Sequence, residues 1–294
     1  MNTTKETIFI LFSIPLYSIL IGTEILLSNW QQRKLYTLRG VLENIFLTIC
    51  NAGLDILLRT IFYLSVLMWC YHHQIFSIKN VYLYWFLLFI LEDLAFYFEH
   101  RVDHYCRIFW AVHVTHHSSE EFNLTTGFRS SVFQPVYRFF YFIPIVLMGF
   151  DPMDIIFMYA LTQTYGILVH TQFIQKMPDW FEAVFVSPSH HRVHHASNIL
   201  YLDKNMGMCL IIWDKIFGTF QKELESEPVK YGLTKPGKIS NNPFNLIIHE
   251  WKEIGKDLSK KTSIKTKLKY LFMPPGWSHD GSSQTSKELR KRVS

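Results

Sequence analysis

Apolar residues in this chain gather into long runs separated by short polar stretches. Residues 7–28 (TIFILFSIPLYSILIGTEILLS) carry a single acidic residue, Glu24, near their end. As a helix they are long enough to cross the roughly 30 Å hydrocarbon core of a bilayer, and they read as a retained anchor rather than a cleaved signal. Residues 44–71 form a second run, interrupted by Asn51, Asp55 and Arg59. At about 1.5 Å per residue it exceeds the core, so it must tilt, kink or project. Asp55 and Arg59 stand one helical turn apart and are expected to pair with each other. Residues 72–80 read as a short turn, and residues 81–98 (VYLYWFLLFILEDLAFYF) make a third run that leads straight into His100. Residues 134–150 and 153–171 read as a helical hairpin turning at Asp151-Pro152, with a kink at Pro144. Residues 205–220 read as an apolar helix that ends at Gly218 and packs beneath the histidines. Lysines at 256, 260, 261, 265, 267 and 269 predict a basic helix with a solvated face, contact with anionic lipid headgroups being the sharper alternative. The last fifteen residues are polar and are expected to be disordered.

The basic loop at 29–42, with Arg33, Lys34 and Arg39, should face the cytoplasm. The second run then leaves, the third returns, and the hairpin leaves and returns again. The expected fold is therefore all-α: a polytopic membrane helical bundle with a cytoplasmic helical cap. Three segments follow: transmembrane helices at 1–80, a histidine-bearing domain at 81–235, and a cytoplasmic C-terminal region at 236–294.

Composition agrees with a membrane protein. Of 294 residues, 49% are hydrophobic, 16% aromatic and only 18% charged. The net charge of +5 is modest, no nucleic-acid module is visible, and a basic membrane-facing surface accounts for it. Cys50, Cys70, Cys106 and Cys209 form no CxxC pair and read as reduced packing residues.

The candidate chemistry lies in the histidines, ten of whose fourteen fall between 100 and 195. His100 and His104 stand in HRVDH. His113, His116 and His117 make HVTHH, and His191, His194 and His195 repeat that spacing in HRVHH, directly after His190. His170 ends the hairpin. Residues at i, i+3 and i+4 share one helix face, so each set can aim imidazoles at one point. Isolated residues such as His72, His73, His249 and His279 read as ordinary surface or core histidines. The clusters do not, because packing so many polar rings beside membrane segments brings no stability. Neutral imidazole is the commonest protein metal ligand, and this many donors point to two metal ions. The expected metal ligands are His100, His104, His113, His116, His117, His170, His191, His194 and His195. His190 is expected to support a ligand rather than be one. Asp93, Glu99, Asp103 and Asp203 are expected to accept imidazole N–H groups.

Structural zinc would call for fewer ligands and usually cysteine. Iron accepts imidazole and activates dioxygen where coordination positions stay open. A site at a membrane face can meet an apolar substrate from the bilayer and reducing equivalents from the cytosol. That leads to oxidation of a membrane lipid with O2 and a separate electron donor, by hydroxylation or desaturation. The rival reading is a membrane zinc-binding or metal-transport protein, which should place its ligands near the bilayer midplane on broken helices. Here they fall at segment ends.

HRVDH, HVTHHSSEEFNLTT, SPSHHRVHHASN, LDKN and LIIWDKIFGTF resemble the sterol desaturase and fatty acid hydroxylase superfamily of integral membrane di-iron enzymes, over roughly residues 85–235. VHT at 169–171 and YGLTKP at 231–236 are most similar to its alkylglycerol monooxygenase branch. The resemblance implies two iron ions, with His100, His104, His113, His116, His117, His191, His194 and His195 as the catalytic ligands and His170 between them. It also implies a fatty-acyl, sterol or alkylglycerol ether substrate, and tetrahydrobiopterin or another external electron donor.

Overall fold

The computed structural model describes residues 5–234 and 242–292. The expected boundary at 235/236, the end of the YGLTKP stretch and residues 293–294 of the tail lie outside the described residues. Within them all regular structure is helical, apart from one isolated antiparallel bridge between Phe185 and Leu210.

The three apolar runs become helices long and apolar enough to cross a membrane. Helix α1 spans Lys5–Trp30. The second run is continuous from Leu38 to His72: α2 (Leu38–Leu58), a π-helical turn (Arg59–Tyr63) and α3 (Leu64–His72). Its 35 residues would extend about 52 Å at roughly 1.5 Å each. The wide turn sits where Arg59 binds both Asp55 and, at 2.7 Å, Glu6 of α1. The expected pair is therefore a three-residue clamp between two helices. Helix α4 (Val81–Tyr105) starts where the Asn80 side chain accepts from the Leu83 amide, and carries the third run through to His104. Much of the apolar surface of α1–α3 faces outward, including Leu11, Phe12, Leu26, Leu57 and Trp69. Water tolerates such a surface poorly, whereas lipid covers it. The chain is an integral membrane protein.

At Cys106 the backbone is extended and α5 (Arg107–His117) begins, packed against α4. The hairpin follows as α6 (Pro135–Leu147) and α7 (Pro152–Leu168), with Asp151 capping the second helix. Its core joins Phe142, Ile145 and Val146 to Leu88 of α4, Leu67 of α3, and Ile155 and Met158 of α7. With 13 residues, α6 rises only about 20 Å, less than the bilayer core. Short helices α8 (Asp179–Val184) and α9 (Pro188–His194) lead to the last histidine set.

Three segments differ from expectation. Residues 205–220 form a helix, α10, only over Ile212–Phe217, capped by left-handed Gly218. The backbone before it is committed to tertiary bonds. The Asp214 carboxylate accepts from the amides of Met206 and Gly207, and Asp93 accepts from those of Cys209 and Leu210. The lysine-rich stretch is divided between α11 (Pro243–Ser259) and α12 (Ile264–Phe272), with Ser263 capping the second. The tail expected to be disordered holds a short helix, α13 (Ser286–Arg290), begun by a reciprocal Thr285–Glu288 capping box. Arg290 reaches the Leu202 carbonyl.

Candidate metal centre

Helix α4 delivers His100 and His104 one turn apart, and the corner at Cys106 turns α5 so that His113 and His117 face them. Ring centroids lie 4.7 Å apart for His100–His113 and 4.8 Å for His104–His117. Helix α9 supplies His191 and His194, and its C-cap His195. His170 follows the last turn of α7.

The nine histidines sort into two groups, each with nitrogens within 4.8 Å of one another. His100, His104, His113, His117 and His194 form one, and His116, His170, His191 and His195 form the other. Helices α5 and α9 contribute to both, and the groups adjoin where the rings of His117 and His195 stack at 4.6 Å. His190 belongs to neither. Its side chain accepts from the Ser187 amide and closes the capping box of α9, and its ring lies against Phe220. It shapes the helix that carries the ligands instead of contacting one.

The outward nitrogens show what the inward ones can do. Nδ1 of His100 donates to the Met206 carbonyl at 2.8 Å, Nδ1 of His116 to Arg129 at 2.9 Å, Nδ1 of His170 to Gly166 at 2.7 Å and Nδ1 of His194 to Lys204 at 3.0 Å. A carbonyl only accepts, so the proton sits on Nδ1 and Nε2 is a bare lone pair. The bare Nε2 of His100 lies 3.0 Å from His113 Nε2, and that of His170 lies 2.9 Å from His191 Nε2. Nε2 of His104 and of His194 is buried with no hydrogen-bond partner. Nitrogens gathered this closely, with two of them buried and unpartnered, form a donor set that fits two metal ions. Protonation is also disfavoured. Burial, reinforced by neighbouring imidazoles, holds His113, His117, His191, His194 and His195 well below the usual imidazole range. Burial pushes His116 down to about 4. These six rings are neutral at pH 7, the state a metal requires.

Of the four carboxylates expected to support imidazoles, one bonds a ring and a second lies close to one. Asp203 meets His104 Nδ1 at 3.3 Å, whereas Asp103 stands 3.5 Å from His113 Nδ1, which makes no hydrogen bond, and accepts from Tyr137 at 2.7 Å. Asp93 instead binds Cys209, Leu210 and the Trp213 indole, and Glu99 faces Arg138. Several supports escaped the sequence reading. Buried Arg129 bonds the Thr115 carbonyl at 2.9 Å and Asn44 at 3.0 Å, fixing the carbonyl that holds His116. Glu24 of α1, the charge noticed inside an apolar run, is buried and accepts from Tyr36, the Leu124 amide and Thr171 next to His170. Gly127 passes so close to His170 that a Cβ there would stand 2.9 Å from Ile167 Cα and 3.1 Å from the imidazole.

A chamber of about 560 Å³ opens onto His104, His117, His194 and His195. Its far walls come from the C-terminal segment, including His249, Glu250, Tyr270, Trp277 and Leu289. His249 is thus no ligand, but it lines the approach to the ligands. His279 lies further out, bonded to the Tyr270 hydroxyl at 2.8 Å.

Residues 85–219 match the fatty acid hydroxylase family. The chain is 38% identical over 197 residues to alkylglycerol monooxygenase of Homo sapiens, a match covering 66% of this chain and 42% of that protein. It is 25% identical over 152 residues to an ornithine lipid hydroxylase of Rhizobium tropici, covering 51% and 45% of the two chains. It is 27% identical over 148 residues to a Delta(7)-sterol 5(6)-desaturase of Gibberella zeae, covering 49% and 43%. The matches thus span less than half the length of these curated relatives. No solved structure matches the chain. Residues 85–219 thus form a fatty acid hydroxylase family domain, in a chain similar to alkylglycerol monooxygenase and, at lower identity, to a sterol desaturase.

Proposed function

We propose that this chain is a membrane-bound non-haem di-iron oxygenase that uses O2 and an external reductant to hydroxylate or desaturate a lipid, with its histidine centre on the cytoplasmic face. His100, His104, His113, His117 and His194 would hold one iron, and His116, His170, His191 and His195 the other. The observation that carries this reading is the convergence of nine buried or half-buried imidazoles into two adjoining groups, each with its nitrogens within 4.8 Å of one another. When bound, the irons supply the redox chemistry that activates dioxygen against an unactivated C–H bond.

The chain's own residues do the rest. Carbonyls of Met206, Arg129, Gly166 and Lys204 fix four of the tautomers, and Asp203 raises the basicity of His104. Burial keeps bulk water from the centre. The chamber under the C-terminal segment gives small reactants a route to both groups. Inserting one oxygen atom into a C–H bond consumes O2, two electrons and two protons and releases water, so a separate donor must serve the site. Similarity to alkylglycerol monooxygenase favours an ether-linked glycerolipid as substrate and tetrahydrobiopterin as donor.

The test uses the full chain, reconstituted with Fe²⁺ in nanodiscs and supplied with ¹⁸O₂, reduced tetrahydrobiopterin and either an alkylglycerol, a sterol or a fatty-acyl lipid. The expected result is two irons per chain and one ¹⁸O atom from O2 incorporated into the product of the alkylglycerol. Turnover by zinc-loaded, iron-free protein would sink the proposal.

A further inference from the structure

Helix α12 presents two opposed faces. At about 100° per residue, Ile264, Leu268 and Phe272 fall on one stripe, and all three are exposed, Ile264 by 78%. Tyr270 lies on the other side and is 2% exposed. Lys265 and Lys269 flank the apolar stripe on one edge and Lys267 on the other. The helix contains no acidic residue. Among the described residues neither Lys265 nor Lys267 forms an ion pair, and Lys261 just before the helix forms none either.

The helix is also fixed in place. Its end is stitched to the corner between α4 and α5, where the Arg107 amide donates to the Met273 carbonyl at 3.2 Å and the Cys106 thiol points to the Leu271 carbonyl. That corner is where the third apolar run leaves its membrane-spanning stretch. Helix α11, packed beside α12, rests Leu246 and Ile247 on Leu47 of α2, another membrane-spanning helix. The exposed stripe is therefore held beside the ends of two spans. A solvated basic face does not explain three exposed apolar side chains in register. An apolar stripe rimmed by unpaired lysines is the pattern of a helix lying in a lipid interface.

We propose that α12 is an interfacial helix that seats the C-terminal segment on the bilayer crossed by α1–α4, with Ile264, Leu268 and Phe272 in the acyl boundary and Lys261, Lys265, Lys267 and Lys269 on the phosphates of anionic lipids. Tyr270, Trp277 and Lys260 carry the wall of the chamber, so the contact also sets the position of that wall relative to the membrane. The proposal does not depend on the lipid oxygenase reading.

The full chain is placed in nanodiscs of phosphatidylcholine alone or of phosphatidylcholine with phosphatidylglycerol. A nitroxide is attached at Leu268→Cys in a background whose four native cysteines are replaced. In anionic discs the label should collide with O2 and be shielded from an aqueous nickel complex. Replacing Lys265, Lys267 and Lys269 with Gln should return it to the aqueous phase, since each such lysine biases the bound state by about five-fold. Hydrogen exchange of residues 260–273 in the unaltered chain gives the same answer without substitutions. It should slow in anionic discs, and the slowing should fade in high salt, where the screening length is short. Equal label accessibility and equal exchange in the two kinds of disc would overturn the proposal.

Discussion

The five-histidine and four-histidine groups differ in how they are built. Four members of the larger group come from a single corner, His100 and His104 on α4 and His113 and His117 on α5. Three of its rings lean on one short segment, through Asp203, the Lys204 carbonyl and the Met206 carbonyl. Two carboxylates, Asp103 and Asp203, stand behind its imidazoles. The smaller group draws on α5, α9 and the residue after α7. Its supports are backbone carbonyls, and Nδ1 of His191, like that of His113 in the larger group, is buried without a hydrogen-bond partner. A carboxylate behind an imidazole makes it a stronger donor, whereas a carbonyl mainly orients it. Under the proposed function the five-histidine group should therefore hold its metal more tightly, and the four-histidine group should be the more easily emptied.

The sharpest way to break this comparison is to remove one ligand from each side. His194→Ala and His116→Ala should each bring turnover below detection, since the two ions act as a unit. Metal analysis should give one iron per chain for each variant. If His116→Ala keeps both irons, the grouping is wrong.

A smaller effect should come from Asp103→Asn. It keeps the shape but weakens the donor behind His113, and should loosen metal at the five-histidine group by about 10–100-fold. Graded chelation should release iron from the unaltered chain in two steps, the weaker from the four-histidine group, and the substitution should merge them. Two well-separated steps in the variant would show that the carboxylate does not set the difference.

The smallest effect is expected from Gly127→Ala. The new methyl must displace Ile167 backbone or the His170 ring, which at about 1–3 kcal/mol of overpacking lowers the midpoint of thermal unfolding by several degrees. The four-histidine group should lose metal affinity while the other keeps its own. Unchanged unfolding, or equal loss at both groups, would show that the close approach to His170 carries no weight.

Much of the architecture was legible because it rests on local pattern. Apolar runs of 18 or more residues have few fates other than spanning helices, and α1, the α2–α3 pair and α4 formed where the runs lie. The HxxHH sets declared their convergence through helix periodicity, and all nine expected histidines meet in the two groups. His170 was legible from its place at the end of an apolar run, although the elements that embrace it were not.

What tertiary structure alone decided concerns backbone groups and long-range charges, which leave no periodic trace. Residues 205–211 read as helix because they are apolar, yet Asp93 and Asp214 claim their amides and hold them irregular. Asp93 and Glu99 looked like imidazole supports by proximity in sequence, but on α4 they point to Trp213 and Arg138. His190, expected to stand behind a ligand, became a helix cap. The carbonyls that fix the histidine tautomers could not be foreseen, since every residue carries one. The sequence by itself determined the membrane helices and the nine imidazoles, because spacing and hydrophobicity act within a few turns of helix. Their division into two groups, the second support of each ring and the chamber beside them were decided by folding, because a hydrogen bond between distant residues depends on where the whole chain brings its backbone.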